Sequence, residues 1–185
     1  MLDIGSEGGT ITARVQKGIE KKQEKGMTAM TQDKTIVMFS GDLDKAIAAF
    51  IIANGAASMG HKVTMFFTFW GINILRKENP PAVKKNLIKK MFGFMMPRGA
   101  NKLTLSEMHM AGLGTEMIKR IMKKNVSSLP ELIQSARDNG VIIQACAMSM
   151  DLMGIKKEEL MDTIDIVGVA TMINASDNSN ATLFI

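Results

Sequence analysis

Two apolar runs of strand length, Thr35-Ile36-Val37-Met38-Phe39 and Lys62-Val63-Thr64-Met65-Phe66-Phe67-Thr68-Phe69, flank a single segment of helix length. A strand with one wet face alternates polar and apolar residues, whereas continuous β-branched and aromatic runs suit strands covered on both faces. Between the runs, Ser40-Gly41-Asp42 precedes Leu43 to Met59, whose interior Ala46-Ile47-Ala48-Ala49-Phe50-Ile51-Ile52-Ala53 is apolar nearly all round. Asp42 is placed to cap this helix and Gly60 to end it. A helix without a polar face packs outward against a second layer or another subunit. Strand, helix and strand with short loops form a β-α-β unit, whose crossover is right-handed in nearly all cases. The fold class is therefore α/β, built on a mostly parallel sheet.

The remaining chain supplies further units of the same kind. Pro80-Pro81 and Pro97 with Gly99 bracket an insertion in which Ala82 to Phe92 has helical character. A helix is expected from Thr115 to Lys124, and another opens at Ser127-Ser128-Leu129-Pro130-Glu131 and closes at Asn139-Gly140. Val141 to Ala145 reads as the next strand, followed by a short helix from Met150 to Met153 and a stop at Gly154. Then come a helix from Lys156 to Thr163, a strand from Asp165 to Val169, a helix from Ala170 to Asn178 and a last strand from Ala181 to Ile185. About five strands make a sheet of ordinary size. Residues 1–33 are poor in large apolar groups and read as a polar tail or linker, which leaves 34–185 as the folded domain.

Composition removes several classes of function. The net charge is +5, but the cations are spread over Lys17–Lys25, Lys84–Lys90, Lys119–Lys124 and Lys156–Lys157, and there are eight Phe, one Trp and no Tyr. A nucleic-acid surface concentrates its charge and interleaves aromatic platforms, so the basic groups read as solvated helix faces. The most apolar stretch, Ala46 to Leu75, is broken by Asn54, Gly55, Ser58, Gly60, His61 and Lys62, which rules out a membrane span there. No apolar leader follows Met1, so the expected compartment is the cytoplasm. Gly112-Leu113-Gly114 is too short for a dinucleotide fingerprint and no phosphate-binding glycine-lysine loop occurs. A single cysteine allows neither an intrachain disulfide nor a thiolate zinc site, so no metal or cofactor is expected.

That cysteine, Cys146, falls at the carboxyl end of an expected parallel strand, where α/β sheets bind their ligands. Three other loops open on the same edge: Ser40-Gly41-Asp42, Phe69-Trp70-Gly71 and the turn near Ala170. With Met148 and Ser149 they are expected to wall a small pocket around the thiol. The nucleophile is the thiolate, so positive charge or unpaired N–H groups must favour ionisation. Ser149 as the cap of a short helix would bring such groups near, while the apolar neighbours Ala145, Ala147, Met148 and Met150 oppose it. His61 enters a strand at the opposite edge; His109, in the insertion, is the histidine placed to reach the pocket, from this chain or from another subunit.

Phe39-Ser40-Gly41-Asp42-Leu43-Asp44-Lys45-Ala46, the segment Val63 to Gly71 ending in Phe-Trp-Gly, Gly112-Leu113-Gly114-Thr115, and Ala145-Cys146-Ala147-Met148-Ser149-Met150-Asp151-Leu152-Met153-Gly154 resemble the DsrE/DsrF/DrsH-like family, in its large, peroxiredoxin-like branch. The resemblance runs from about residue 34 to the last residue. It implies a flavodoxin-like three-layer sandwich that assembles into trimers or hexamers, and a cysteine, here Cys146, that carries sulfur as a persulfide. The implied partners are donor and acceptor proteins of the rhodanese-like or other sulfur-carrier kind. Three roles follow: a persulfide-forming sulfurtransferase or sulfur carrier, a noncatalytic module that binds a small ligand or assembles with other subunits, and a thiol peroxidase. The last needs a second thiol from elsewhere to complete its cycle.

Overall fold

The computed structural model describes residues 33–81, 96–107, 113–125 and 127–185. The polar segment before Asp33, the helix expected over 82–92, Gly112 and His109 lie outside these residues. Five strands, β1 (Lys34–Met38), β2 (Val63–Phe67), β3 (Ile142–Cys146), β4 (Asp165–Val167) and β5 (Ala181–Phe184), form one sheet in the order β4-β3-β2-β1-β5. Every neighbouring pair is parallel, as the crossover pattern requires. The helices among the described residues are α1 (Leu43–Ser58), α2 (Leu113–Asn125), α3 (Leu129–Asp138), α4 (Ala147–Met153) and α5 (Val169–Asp177). The arrangement is a flavodoxin-like α/β fold.

Residue alternation divides the sheet into two unequal faces. Ile36, Met38, Val63, Met65, Phe67, Ile143 and Ala145 join Leu43, Ala46, Ala49, Phe50 and Ala53 of α1 and Leu129, Ile133 and Ala136 of α3 in the main core. The alanines keep α1 slim enough to lie along α3, and Asn54 donates to the carbonyl of Leu132 at 3.0 Å across that seam. The other face carries a much smaller cluster of Val37, Phe66 and Cys146, against which Val167 and Met172 pack. Helix α5 covers this face without burying any of its own residues.

Four local expectations are revised. Strand β2 stops at Phe67 because Phe69 takes a left-handed backbone (φ 43°) and opens a 3-10 helix, Phe69–Leu75. The helix expected over 156–163 is one 3-10 turn, Lys157–Glu159. An antiparallel bridge between Arg76 and Leu160 draws that segment out straight. The buried ion pair of Arg76 with Glu159 at 3.2 Å, with the backbone bond from Lys77 N–H to Glu159 O at 2.7 Å, holds it there. The strand at 165 ends at Val167, since Gly168 caps α5. Asp42 occupies the cap position of α1 but makes no capping bond; its carboxylate instead accepts from the Ser40 hydroxyl and the Lys45 ammonium, each at 2.8 Å.

Strands β1 and β2 are tied where they leave the sheet. Thr68 N–H donates to Met38 O at 3.0 Å and Gly71 N–H to Phe39 O at 2.9 Å. This approach needs a glycine, because a Cβ at position 71 would lie 2.2 Å from Met38 O. Gly71→Ala is expected to destabilise the fold by about 1–3 kcal/mol, the usual cost of overpacking. Gly55→Ala, in the exposed last turn of α1 with open space around its Cβ, is expected to stabilise by about 0.5–1 kcal/mol. Urea unfolding of both variants checks the contrast, and an unchanged midpoint for Gly71→Ala would refute the packing argument.

Candidate functional site

Parallel register brings the strand exits into line. Phe67 pairs with Met38 on one side and Ala145 on the other, and Cys146, one residue further, pairs with Val167 of β4. Cys146 therefore ends an interior strand, and its side chain stands on the face of the small cluster, 6% exposed. The chain turns there directly into a helix. Cys146 itself holds the cap position of α4, with extended dihedrals of −70° and 115°. Ser149, expected as the cap, lies instead in the first turn, because the helix starts at Ala147, earlier than expected. Gly154 in the left-handed region (φ 66°) ends it as anticipated.

The neutral thiol makes no capping hydrogen bond to α4. Its ionised form is surrounded by donors. Burial pushes the Cys146 thiol up, but the Ser149 hydroxyl and N–H, the Thr68 hydroxyl and the Met148 N–H all favour the thiolate and bring it below the ordinary cysteine value. Met148 and Ser149 are the second and third residues of α4, the positions whose N–H groups a cap residue satisfies. The hydroxyls of Thr68 and Ser149 lie 2.8 Å apart, so one can donate to the other while that other gives its own proton to the sulfur. Ser149 is buried and Thr68 partly so.

Thr68 was missed in the sequence because its closeness to the thiol depends on the register of β2 against β3, which no local motif encodes. A hydroxyl at the exit of a strand next to the one bearing the cysteine was the available signal. Gln144 was also missed. It lies two residues before Cys146 on the same face, and its buried Oε1 has no hydrogen-bond partner.

The other expected residues separate into groups. Gly41 backs onto Trp70, whose carbonyl oxygen would be 2.9 Å from a Cβ there. Gly71 locks the two strand exits, as described above. Phe69 projects into an aromatic row at the same sheet edge, with Phe39 at 5.4 Å between ring centroids and Phe184 stacked on Phe39 at 5.9 Å. The row and Trp70 are exposed. Met148 contributes its N–H to the thiolate while its side chain faces outward. Asp42 is engaged with Ser40 and Lys45. His109 lies outside the described residues.

Removing one donor tests the electrostatics. Thr68→Val is expected to move the pH midpoint of iodoacetamide alkylation of Cys146 upward and to slow alkylation at neutral pH by about tenfold. That corresponds to about 1.5 kcal/mol, the lower end for a hydrogen bond to a charged group. Thr68→Ser should restore both values, and a wild-type profile in Thr68→Val would show that the hydroxyl does not act on the sulfur.

The chain has relatives among known proteins. The chain is 55% identical to the uncharacterized protein YrkE of Bacillus subtilis, over 86% of this chain and all of that one. It is 35% identical to the sulfur carrier protein DsrE2 of Allochromatium vinosum, over 84% of this chain and all of that one. Among solved structures, the ychN protein from E. coli superposes with a TM-score of 0.53 at 9% identity, covering 83% of this chain and 99% of that one, a likeness of fold. A profile of the DsrE/DsrF/DrsH-like family matches residues 31–184, and the chain belongs to that family.

Proposed function

We propose that this protein is a sulfur carrier that forms a persulfide on Cys146. The observation that carries this reading is the donor set of Thr68, Ser149 and the Met148 and Ser149 N–H groups, which favours a nucleophilic thiolate in a largely buried position. In the first step the Cys146 thiolate attacks the outer sulfur of a donor persulfide, R–S–SH. A new S–S bond forms, the donor S–S bond breaks, and R–S⁻ leaves with the electron pair. In the second step an acceptor thiolate attacks the terminal sulfur of the Cys146 persulfide and releases the Cys146 thiolate. Neither step needs an outside oxidant or reductant. The family and the resemblance to a relative named as a sulfur carrier support the reading, and the donor and acceptor are read as sulfur-carrier proteins.

We read the protein as a homo-oligomer of the cytoplasm, a compartment in which thiols stay reduced. Support for self-association comes from apolar surface left open on α5 and β5, where Val169, Ile173 and Phe184 are exposed. Intact-mass measurement after incubation with a sulfane donor should show one added sulfur atom on the wild type and none on Cys146→Ser. Adding a thiol acceptor should remove it. Equal labelling of the two proteins would overturn the proposal, and an inert thiol would leave Cys146 as a packed wall of the noncatalytic alternative.

A further inference from the structure

The face of β3 that carries the thiol also carries a buried carboxamide. Side chains alternate along a strand, so Gln144 and Cys146 stand on one side of β3, about 7 Å apart along the chain. The register places Phe66 of β2 on one flank of Gln144 and Asp165 of β4 on the other. Phe66 belongs to the small apolar cluster with Val37 and Cys146, and Asp165 is exposed. Gln144 itself is 9% exposed, and its Oε1 is buried with no hydrogen-bond partner.

An amide oxygen taken out of water and left unpaired weakens a fold, and leucine or methionine would fill the same space without that cost. Native proteins rarely leave such a group open, and those that do commonly hold it for a functional partner. Sulfur transfer supplies one. The Thr68 and Ser149 hydroxyls and the Met148 and Ser149 N–H groups serve Sγ of the unloaded thiolate. Once Sγ carries a second sulfur, the charge sits on the outer atom, about 2 Å further out, and that atom needs a hydrogen bond of its own. A carboxamide has two N–H donors and an acceptor oxygen, and its last torsion turns either side forward. It can donate to the ionised outer sulfur or accept from the neutral S–H. On one strand face, two residues apart, a glutamine and a persulfide together span the gap between them.

We propose that Gln144 binds the transferred sulfur, its carboxamide hydrogen-bonding the outer atom of the Cys146 persulfide. The assignment rests on the persulfide reading given above. It divides the site in two: Thr68, Ser149 and Met148 prepare the thiolate, and Gln144 acts only after sulfur has arrived. Loading then satisfies an amide that the unloaded site leaves unpaired.

Sulfur exchange with glutathione tests the proposal. Persulfide and thiol exchange one sulfur atom, so no oxidant or reductant enters. At a fixed ratio of glutathione persulfide to glutathione, intact mass gives the fraction of protein carrying one added sulfur. Gln144→Leu and Gln144→Met should each lower the equilibrium constant for loading about tenfold, the loss of a hydrogen bond to a charged group. Both should keep the wild-type rate and pH midpoint of Cys146 alkylation. Both should also unfold at the same or a higher urea concentration, since an unpaired buried amide has been removed. A wild type that takes up no sulfur would overturn the persulfide reading and this assignment with it. A wild type that loads, with both variants loading equally well, would overturn the role of Gln144 alone. Variants that lose stability and alkylation together with loading would make Gln144 a packing residue, which also overturns it.

Discussion

The site depends on the closeness of two backbones. Gly71 lies against Met38 O because it has no Cβ, and this contact draws the exits of β1 and β2 together. Thr68, fixed by its own bond to Met38 O, is thereby set beside the next strand, and its hydroxyl reaches Ser149 and the sulfur. The left-handed Phe69 follows from the same turn. Such a conformation in a bulky residue stores strain, and it projects the ring into the aromatic row. A change at Gly71 would therefore reach the chemistry through Thr68 even though Gly71 touches no reacting atom.

At the sulfur two opposing effects meet. Burial at 6% exposure favours the neutral thiol. The hydroxyl and N–H groups around it outweigh it, which lowers the thiol below its ordinary value. No cation takes part among the groups that shift it, so the ionisation rests on backbone N–H groups and hydroxyls held by the fold. This arrangement ties reactivity to the register between β2 and β3 and to the start of α4.

The sequence revealed the β-α-β unit, the parallel sheet and Cys146 at a strand's end because each depends on local patterning: continuous apolar runs, a helix-length segment between them, and an abrupt change of period. It was less informative wherever long-range pairing overrode local preference. The segment after Lys156 has helix-forming residues, yet its bridge to Arg76 and the buried Arg76–Glu159 pair keep it extended. Asp42 has a capping side chain, yet Ser40 and Lys45 take it. Thr68 gave no local sign at all, since its role exists only after two strands are aligned.

The unequal faces of the sheet separate two kinds of stability. The main core under α1 and α3 holds the fold, while the thiol belongs to a cluster of three buried side chains capped by a helix that buries none of its own. Lifting α5 would give up the packing of Met172, Ala175 and Ser176 and the bond between the Ser176 and Thr182 hydroxyls, a smaller loss than any opening of the main core, so an opening at the sulfur would draw on the lower part of the molecule's free-energy scale. The fold can keep its core closed while its sulfur comes in and out of reach.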